Sequence, residues 1–234
     1  MTLELNCFPG SLAGKSLGRI AAYGALALLA ACQPAEKPRP APAANVTITV
    51  EEEPEWQKVA SAEDQDKIAR LGTAWAEALA AARKAGFASE IRGEGDLLDP
   101  EAALPRAAPP PGSYNCRLVK LGGQGPSKAF IAYKPFFCFV GVNGEQLSIT
   151  KQTGSRRPGG YLWDTDKTGR LIFLGSEALG TEEAPLGYGE DPARSMAGVF
   201  ERYGDFRYRL VVPWPRRESK LDVFELIPIP PAAG

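Results

Sequence analysis

The absence of histidine limits the chemistry that the side chains of this protein could do. It contains four cysteines and no histidine. Because histidine is the usual general base near neutral pH and the commonest metal ligand, Ser-His-Asp triads, Cys-His pairs and histidine-based zinc sites are excluded. Paired carboxylates or a Ser-Lys pair could still do acid-base chemistry, but neither forms a recognisable motif. We therefore expect no enzymatic activity, no cofactor and no metal.

Cys32 is the first cysteine with a specific context. An uncharged run, Ile20 to Ala31, follows Lys15 and Arg19 and ends in Leu29-Ala30-Ala31-Cys32. The run is too short to span a bilayer but has the length of a signal-peptide core. Its last four residues resemble the lipobox of bacterial lipoproteins, in which the cysteine is acylated after cleavage. An ordinary secretory signal followed by a chance cysteine is the alternative.

The lipobox pattern divides the start of the chain into two parts. We predict that residues 1–31 are a lipoprotein signal peptide and that residues 32–54 are the acylated cysteine and a tether rich in proline and alanine. Gln33 follows the cysteine, and by analogy with the enterobacterial sorting rule this favours the outer membrane. The expected location is therefore the inner leaflet of the outer membrane, with the protein facing the periplasm.

Cys116 and Cys138 would be the only thiols left once Cys32 is acylated and Cys7 is removed. An exported protein meets an oxidising compartment, which favours a disulfide between them. Such a bond should stabilise the fold by about 3 kcal/mol in the chain-entropy model. Two buried free thiols are the alternative.

The segment Tyr133 to Thr153 contains Cys138 and reads as a β-hairpin. Its two apolar runs are separated by Asn143-Gly144, a pair that tolerates the positive φ angles of a type I′ turn. We therefore predict a disulfide-linked hairpin at the centre of an antiparallel domain.

Two basic clusters in predicted loops are candidate binding surfaces. Arg156 and Arg157 form one, while the second consists of Arg216, Arg217 and Lys220, next to Trp214. They could bind an anionic headgroup, a glycan or an acidic partner, although charge on loops is usually only solvated. Nucleic acid is not an expected partner, since 27 basic residues are balanced by 28 acidic ones.

Three further segments have patterns that invite a functional interpretation. Asp164, Asp166, Thr168 and Gly169 follow the start of a calcium loop, but its twelfth position is Gly175 rather than glutamate, so we expect a hairpin turn. The run Gly122 to Lys128 superficially resembles a phosphate-binding loop, but its spacing and Pro126 indicate a strand connection. Thr181 to Ser195 is a long connection that could be a lid or a partner-contact loop.

The elements that must position these residues form a single domain over residues 55–230, in the α+β class and mostly β. We predict an amphipathic helix over 61–86 with Ser61 as its N-cap and Gly86 at its end, then a β region over 112–228. Leu97, Leu98 and Leu104 are expected to anchor the segment between them. About eight antiparallel strands should form a barrel or a sandwich, at the following positions: 114–121, 136–142, 145–153, 160–163, 170–175, 196–202, 206–212 and 221–227, with an extra piece at 129–133.

Two of these strands carry more specific predictions. Phe206, Tyr208, Leu210 and Val212 alternate with Arg207 and Arg209, which indicates a half-exposed strand in which Asp222 and Glu225 could pair with the arginines. Pro228 and Pro230 place the last strand at an edge or a rim.

Several segments together resemble the bacterial domain of unknown function 4893: DQDKIARLGTAWAEALAAAR, LLDP, PPPGSYNCRLVKLG, SITKQTGSRRPGGYLWD, RLIFLGS and MAGVFERYGDFRYRLVVPWPRRESKLDVFELIP. The resemblance spans Trp56 to Pro228 and implies an exported protein of alphaproteobacteria, especially sphingomonads. It implies no activity, cofactor or catalytic residue.

The sequence favours a non-catalytic binding module of the bacterial envelope, which would hold a lipid, a small apolar ligand or an envelope protein. A lipocalin-like barrel, similar to the periplasmic inhibitor of metalloproteases, is the fold analogy, and an inhibitor of a protease or other envelope protein is therefore one alternative. A carboxylate-dependent envelope hydrolase is the other.

Overall fold

The computed structural model describes residues 54–216 and 219–230. Cys32, the predicted signal peptide, nearly all of the predicted tether and Arg217 lie outside these residues. The described part begins with helices and continues into strands. The helices are α1 Glu55–Val59, α2 Ala62–Ala69, α3 Leu71–Lys84 and α4 Ala88–Gly93, followed by a 3-10 turn at Gly95–Leu98.

The strands follow in a simple order along the chain. They are β1 Gly112–Leu121, β2 Phe130–Ala132, β3 Phe136–Asn143, β4 Gln146–Lys151, β5 Arg156–Trp163, β6 Arg170–Leu179, β7 Ser195–Gly204, β8 Arg207–Pro213 and β9 Leu221–Pro228.

The strands form a closed antiparallel barrel. From β3 to β9 each strand pairs with its chain neighbour, and β9 pairs with β1 along its whole length, from Leu221 to Pro228, which closes the sheet. The short strand β2 pairs only with the end of β1, beside β3. The barrel of the sequence prediction is confirmed, and the sandwich alternative is wrong. An eight-stranded meander is the general architecture of lipocalins.

Close backbone approach between β5 and β6 depends on two glycines. Gly160 and Gly175 are register partners. A Cβ atom added to Gly160 would lie 2.3 Å from the carbonyl oxygen of Leu174, a distance that no side chain tolerates. Glycine at this pair lets the two strands approach as they curve around the barrel.

One end of the barrel is filled by aromatic side chains. Tyr114 and Tyr208 make an edge contact with ring centroids 6.3 Å apart, and Phe200 stacks on Tyr208 at 5.8 Å. The Tyr114 hydroxyl donates a hydrogen bond to the carbonyl oxygen of Pro110 at 2.6 Å. Together with Phe173 and Leu226 these rings form a buried plug. We call this part of the barrel the closed end.

The helices pack on the outside of the barrel. Trp75, Leu71 and Leu79 of α3 are buried against outward-facing side chains of β1, β8 and β9, including Val119 and Val223. The predicted single helix over 61–86 is instead two helices that meet at Arg70, whose φ and ψ are −96° and 21°. The break lets α2 contact β7 while α3 crosses β1, β8 and β9.

The ends of the predicted helix are where the sequence placed them. The backbone N–H of Asp64 donates a hydrogen bond to the Ser61 hydroxyl at 3.2 Å, and Gly86 follows α3 with a φ of 101°. Leu97 and Leu98 are buried anchors as expected, whereas the Leu104 side chain is exposed and only its backbone bridges to Arg202.

Under the helical layer, five residues of alternating charge lie side by side on neighbouring strands. We call this set, Arg170, Glu201, Arg209, Glu225 and Arg117, the charge ladder. Each neighbouring pair is in register, from β6 through β9 to β1. Cross-strand neighbours of opposite charge stabilise a sheet.

The centre of the charge ladder is sealed from water. Arg209 and Glu201 are both 0% exposed and form an ion pair at 2.7 Å. The Arg209 guanidinium also donates hydrogen bonds to the carbonyl oxygens of Asp96, Leu97 and Asp99, at 3.1, 3.0 and 2.7 Å. The prediction that β8 is half exposed is therefore wrong, because the helical layer covers its arginine face.

Other predictions about β8 and β9 also need correction. Phe206 lies in the preceding turn with a φ of 53° and is exposed rather than aligned with Tyr208. Glu225 does pair with Arg207, at 2.9 Å, but Arg209 pairs with Glu201. The last strand is not an edge, since β9 pairs with both β8 and β1, although Pro228 stands at the barrel rim.

The hairpin of β3 and β4 forms, but its turn differs from the prediction. Asn143 pairs with Gln146, so the loop is Gly144-Glu145, and of these residues only Gly144 has a positive φ. This excludes a type I′ turn and agrees with glycine at the first central position of a type II′ turn. The disulfide between Cys116 and Cys138 is confirmed and links β1 to β3 inside the barrel, with Cα atoms 6.0 Å apart.

Candidate functional site

The barrel end opposite the plug holds a cavity. At this end, which we call the mouth, strands β1, β4, β6 and β8 finish and the long connections after β4, β6 and β8 begin. The cavity has a volume of about 600 Å³. Ligand pockets in proteins usually have volumes of about 300–1,000 Å³. The mouth cavity is therefore large enough for a small ligand.

The floor of the mouth cavity is apolar. It is formed by inward-facing side chains of five strands, which are Leu118 of β1, Phe136 of β3, Met196 of β7, Val212 of β8 and Phe224 of β9. Because side chains alternate between the two faces of a strand, these residues continue the inward rows that form the plug deeper in the barrel. The floor thus joins the packed core directly.

Above the floor lies a group of charged side chains that we call the mouth cluster: Lys120, Lys151, Arg156, Glu177 and Asp222. Lys120 Nζ lies 2.9 Å from Asp222 Oδ2, and Arg156 Nη2 lies 2.7 Å from Glu177 Oε2. The Ser219 hydroxyl donates to Asp222 Oδ1 at 2.5 Å. Burial raises the pKa of Asp222, although the neighbouring Lys120 ammonium acts in the opposite direction.

Lys151 differs from the other two cations of the mouth cluster. Its Nζ donates a hydrogen bond to the Arg156 carbonyl oxygen at 2.9 Å and lies 4.3 Å from the centre of the Phe136 ring. It makes no ion pair with any residue of 54–216 or 219–230. Burial lowers the pKa of Lys151, the positive charges of Arg156 and Arg157 lower it further, and Glu177 raises it.

The predicted basic clusters come together only in part. Arg156, Trp214 and Arg216 line the same cavity although they belong to different predicted clusters. Arg156 and Arg157 lie in strand β5 and not in a loop. The Arg157 guanidinium donates to the carbonyl oxygens of Gly154 and Gly180, at 2.9 and 2.8 Å, and so fastens two connections together.

The second basic cluster is largely engaged by the helices. Lys220 Nζ lies 3.2 Å from Glu77 Oε2, and the Trp214 indole N–H donates to the same oxygen at 3.3 Å. The Arg70 guanidinium stacks 4.6 Å from the centre of the Trp214 ring. These contacts indicate that Trp214 and Lys220 fasten the β8–β9 connection to α2 and α3.

The connection Thr181 to Ser195 lies at the mouth and is tied to α2. The Tyr188 hydroxyl donates to Asp64 Oδ2 at 2.6 Å and accepts the backbone N–H of Ser61 at 3.0 Å. Within the connection, Arg194 pairs with Glu182 at 2.8 Å. The segment therefore forms one wall of the mouth and has specific contacts that hold it there.

The other motifs noted in the sequence have structural roles. Asp164 to Gly169 form the turn between β5 and β6, as the hairpin prediction required, and the Thr165 hydroxyl bonds to the carbonyl oxygens of Lys167 and Arg170. The run Gly122 to Lys128 connects β1 to β2. Within the described part of the chain, no three acidic or cysteine residues are grouped as metal ligands would be.

A second depression, of about 580 Å³, lies at the closed end. Its charged lining residues are all carboxylates, namely Glu55, Glu145, Asp164 and Asp166. The linings of the two cavities therefore differ in charge, with an excess of cations at the mouth and carboxylates alone at the closed end. Pro54, the first described residue, borders this depression.

Lys120 and Lys151 were not among the predicted site residues, although their positions relative to the two cysteines indicate that both face the barrel interior. Lys120 is four residues from Cys116 on the same strand, and Lys151 is the register partner of Cys138. Alternate residues and cross-strand partners share a face. Once the disulfide is placed inside the barrel, both lysines must also point inward.

Comparisons with known proteins assign a family and nothing more specific. The chain belongs to the family described as Domain of unknown function (DUF4893), which matches residues 56–226. No curated protein and no solved structure gives a significant match. Among the described residues, no helix is both long enough and apolar enough to cross a membrane.

Proposed function

We propose that this member of the DUF4893 family is a non-catalytic binding protein that holds a small apolar or amphiphilic ligand in the mouth of its barrel. The observation that carries the proposal is the cavity of about 600 Å³ with an apolar floor. Concave sites with apolar walls and a few polar groups are typical of ligand pockets. The ligand would enter between the β4–β5, β6–β7 and β8–β9 connections.

The disulfide supports this use of the mouth. Cys116 lies two residues before Leu118 on β1, and Phe136 is its register partner on β3. Linking the two strands here fixes the spacing of two floor residues. A preorganised pocket loses less conformational entropy when a ligand binds.

The carboxylates in the mouth favour binding over hydrolysis. Asp222 and Glu177 are the acidic members of the mouth cluster, and each is paired with a cation, Lys120 and Arg156 respectively. A general base needs a carboxylate that can reach the proton it abstracts. Carboxylates already engaged by cations make the hydrolase alternative the weaker proposal.

We further propose that the protein works in the cell envelope of an alphaproteobacterium. Its support is the Leu-Ala-Ala-Cys32 pattern behind an apolar run, together with a disulfide, which is typical of exported proteins. Acyl chains on Cys32 would hold the domain on the inner leaflet of the outer membrane, facing the periplasm. Replacing Cys32 with serine should move the protein from the membrane fraction to the soluble periplasmic fraction, and unchanged fractionation would contradict the anchor.

A neutral fluorescent probe tests the ligand site. N-phenyl-1-naphthylamine is expected to bind the purified domain. Leu118→Trp fills the space above the floor and should weaken binding by at least about 10-fold, since a probe kept out of the cavity loses apolar burial that contributes about 1.5 to 3 kcal/mol. Phe139→Trp is the matched control, because Phe139 is 45% exposed on the outside of the barrel. Equal binding by all three proteins would show that the probe does not occupy the mouth.

A further inference from the structure

The lining of the mouth cavity has more cations than carboxylates, whereas the whole chain is close to neutral. The whole sequence has a formal net charge of −1. The cavity lining has three carboxylates, Asp64, Glu177 and Asp222, against seven cations, which are Lys67, Lys120, Lys134, Lys151, Arg156, Arg194 and Arg216. Lys67, Arg194 and Arg216 also pair with carboxylates outside the lining, but the excess of cations remains. A concave site with an excess of one sign of charge attracts ligands of the opposite sign.

Within the mouth cluster, Lys151 carries the excess positive charge. Of the three cations in the mouth cluster, Lys120 and Arg156 each face a carboxylate, whereas Lys151 has only a carbonyl oxygen and an aromatic face as partners among the described residues. An ammonium group has three N–H donors. Lys151 can therefore bind an anionic group without breaking an ion pair.

The position of Lys151 is also informative. It is bounded on one side by Phe136, which belongs to the apolar floor, and on the other by Arg156, at the start of β5. The ammonium group thus lies where the apolar floor meets the charged rim. A ligand whose apolar part rests on Leu118 and Phe136 would place a polar end next to Lys151.

We propose that the ligand of the mouth is a single-chain amphiphile with an anionic head, a carboxylate or a phosphate, and that Lys151 binds this head. The inference rests on the proposed function, since it names the ligand class of the same cavity. An apolar floor alone would not distinguish one apolar ligand from another. Lys151 would favour ligands that have an anionic group.

Two probes that differ by one sulfonate group separate this inference from the proposed function. N-phenyl-1-naphthylamine is neutral, and 8-anilinonaphthalene-1-sulfonate has the same ring system with an anionic group. Lys151→Met should lower the affinity for the sulfonate by at least about 10-fold, because the variant loses a hydrogen bond between two charged groups. The affinity for the neutral probe should stay within about twofold.

Two control variants complete the experiment. Lys151→Arg keeps the positive charge and should retain binding of the sulfonate. Lys128→Met removes one charge from the exposed β1–β2 connection near the mouth, outside the cavity lining, and should leave both affinities unchanged. If Lys151→Met leaves sulfonate binding unchanged while the neutral probe binds, the inference is wrong and the proposed function stands. If neither probe binds the wild-type protein, both fail.

The same variants identify the source of the anionic head. Oleate provides a carboxylate, lysophosphatidylglycerol an anionic phosphate, and lysophosphatidylcholine a phosphate neutralised by its own cation. Displacement of the neutral probe by oleate, and not by either lysophospholipid, would assign the site to free fatty acids. Displacement by lysophosphatidylglycerol would assign it to an anionic phospholipid. Equal displacement by lysophosphatidylcholine, with no dependence on Lys151, would contradict an anionic head.

Discussion

The charge ladder outside the barrel and the mouth cluster inside it each consist of three cations and two carboxylates. In the ladder, cations and carboxylates alternate on neighbouring strands, and the guanidinium of Arg209 is also bonded to three carbonyl oxygens of the helical layer. In the mouth, the same numbers leave Lys151 without an acidic partner in the described residues.

The difference lies in what covers each group. The helices exclude water from the centre of the ladder, so the buried charges of Arg209 and Glu201 need protein partners, since an unpaired buried charge costs several kcal/mol. Helix α2 contributes Asp64 and Lys67 to the lining of the mouth cavity but leaves open space beside the mouth cluster, where a charge can be satisfied by water or by a ligand. This difference is consistent with a stabilising role for the ladder and supports the proposal that the mouth cluster binds a ligand.

Breaking the centre of the ladder should have the largest effect on stability. Glu201→Leu leaves the guanidinium of Arg209 buried without its carboxylate and should lower the free energy of unfolding by about 3 to 5 kcal/mol. The double variant Glu201→Leu with Arg209→Met should recover part of this loss, because it removes the unpaired charge. Urea unfolding followed by circular dichroism measures both.

An exposed ion pair provides the control for the ladder. Glu55, whose side chain is 71% exposed, pairs with Lys58, and Glu55→Gln should change the free energy of unfolding by less than about 1 kcal/mol. If Glu201→Leu lowers the free energy of unfolding by no more than Glu55→Gln does, then burial does not increase the contribution of the ladder to stability.

Removing the disulfide should have the next largest effect. The double variant Cys116→Ala and Cys138→Ala should lower the free energy of unfolding by about 3 kcal/mol, since the bond restricts the unfolded chain. A reductant should destabilise the wild-type protein by a similar amount and leave the double variant unchanged. An equal effect of reductant on both proteins would contradict this account.

Lowering the pH should weaken the ladder through Glu225. Burial by itself would raise the pKa of Glu225, but hydrogen bonds from Tyr203, Arg207 and Arg117 outweigh it and hold the pKa below the ordinary value of 4.5. The folded protein therefore binds fewer protons than the unfolded chain. The contribution of the Glu225 carboxylate to the free energy of unfolding is therefore present above pH 4.5. It is lost as the pH falls through the pKa that Glu225 has in the folded protein.

Acid unfolding of a Glu225→Gln variant tests this dependence. The amide cannot titrate, so the free energy of unfolding should fall less steeply below pH 4.5 than it does in the wild-type protein. Identical slopes for the two proteins would show that other carboxylates account for the acid sensitivity.

The sequence predicted the strands of the barrel well because the local signals were strong. Turn residues separate short apolar segments, and Cys116 and Cys138 are the only cysteines within those segments. It could not decide between a closed barrel and a sandwich, because the β1–β9 pairing that closes the sheet joins residues about 100 positions apart with no local pattern to mark it. The prolines after the last strand were therefore compatible with either an edge or a rim, and the pairing of β9 with β1 shows that the rim is correct.

The candidate site was harder to predict for a related reason. The alternation of Arg207 and Arg209 with apolar residues indicates a solvent-exposed face, and only the packing of the helices shows that Arg209 on this face is buried. Arg156 appeared to lie in a loop because Pro158 and Gly159 interrupt the apolar pattern of β5. Lys151 was overlooked because the inward face of β4 becomes identifiable only from its register with Cys138.

The smallest effect on stability is expected at Lys151, a residue whose substitution should weaken binding of an anionic ligand strongly. Lys151→Met removes a cation that has no carboxylate partner in the described chain, so the free energy of unfolding should change by less than about 0.5 kcal/mol. Burial lowers the pKa of Lys151, which means that the folded protein gains nothing by keeping this charge there. The same urea titration that measures Glu201→Leu gives the comparison. A loss of about 2 kcal/mol or more from Lys151→Met would mean that the mouth cluster, like the ladder, is part of what holds the barrel together.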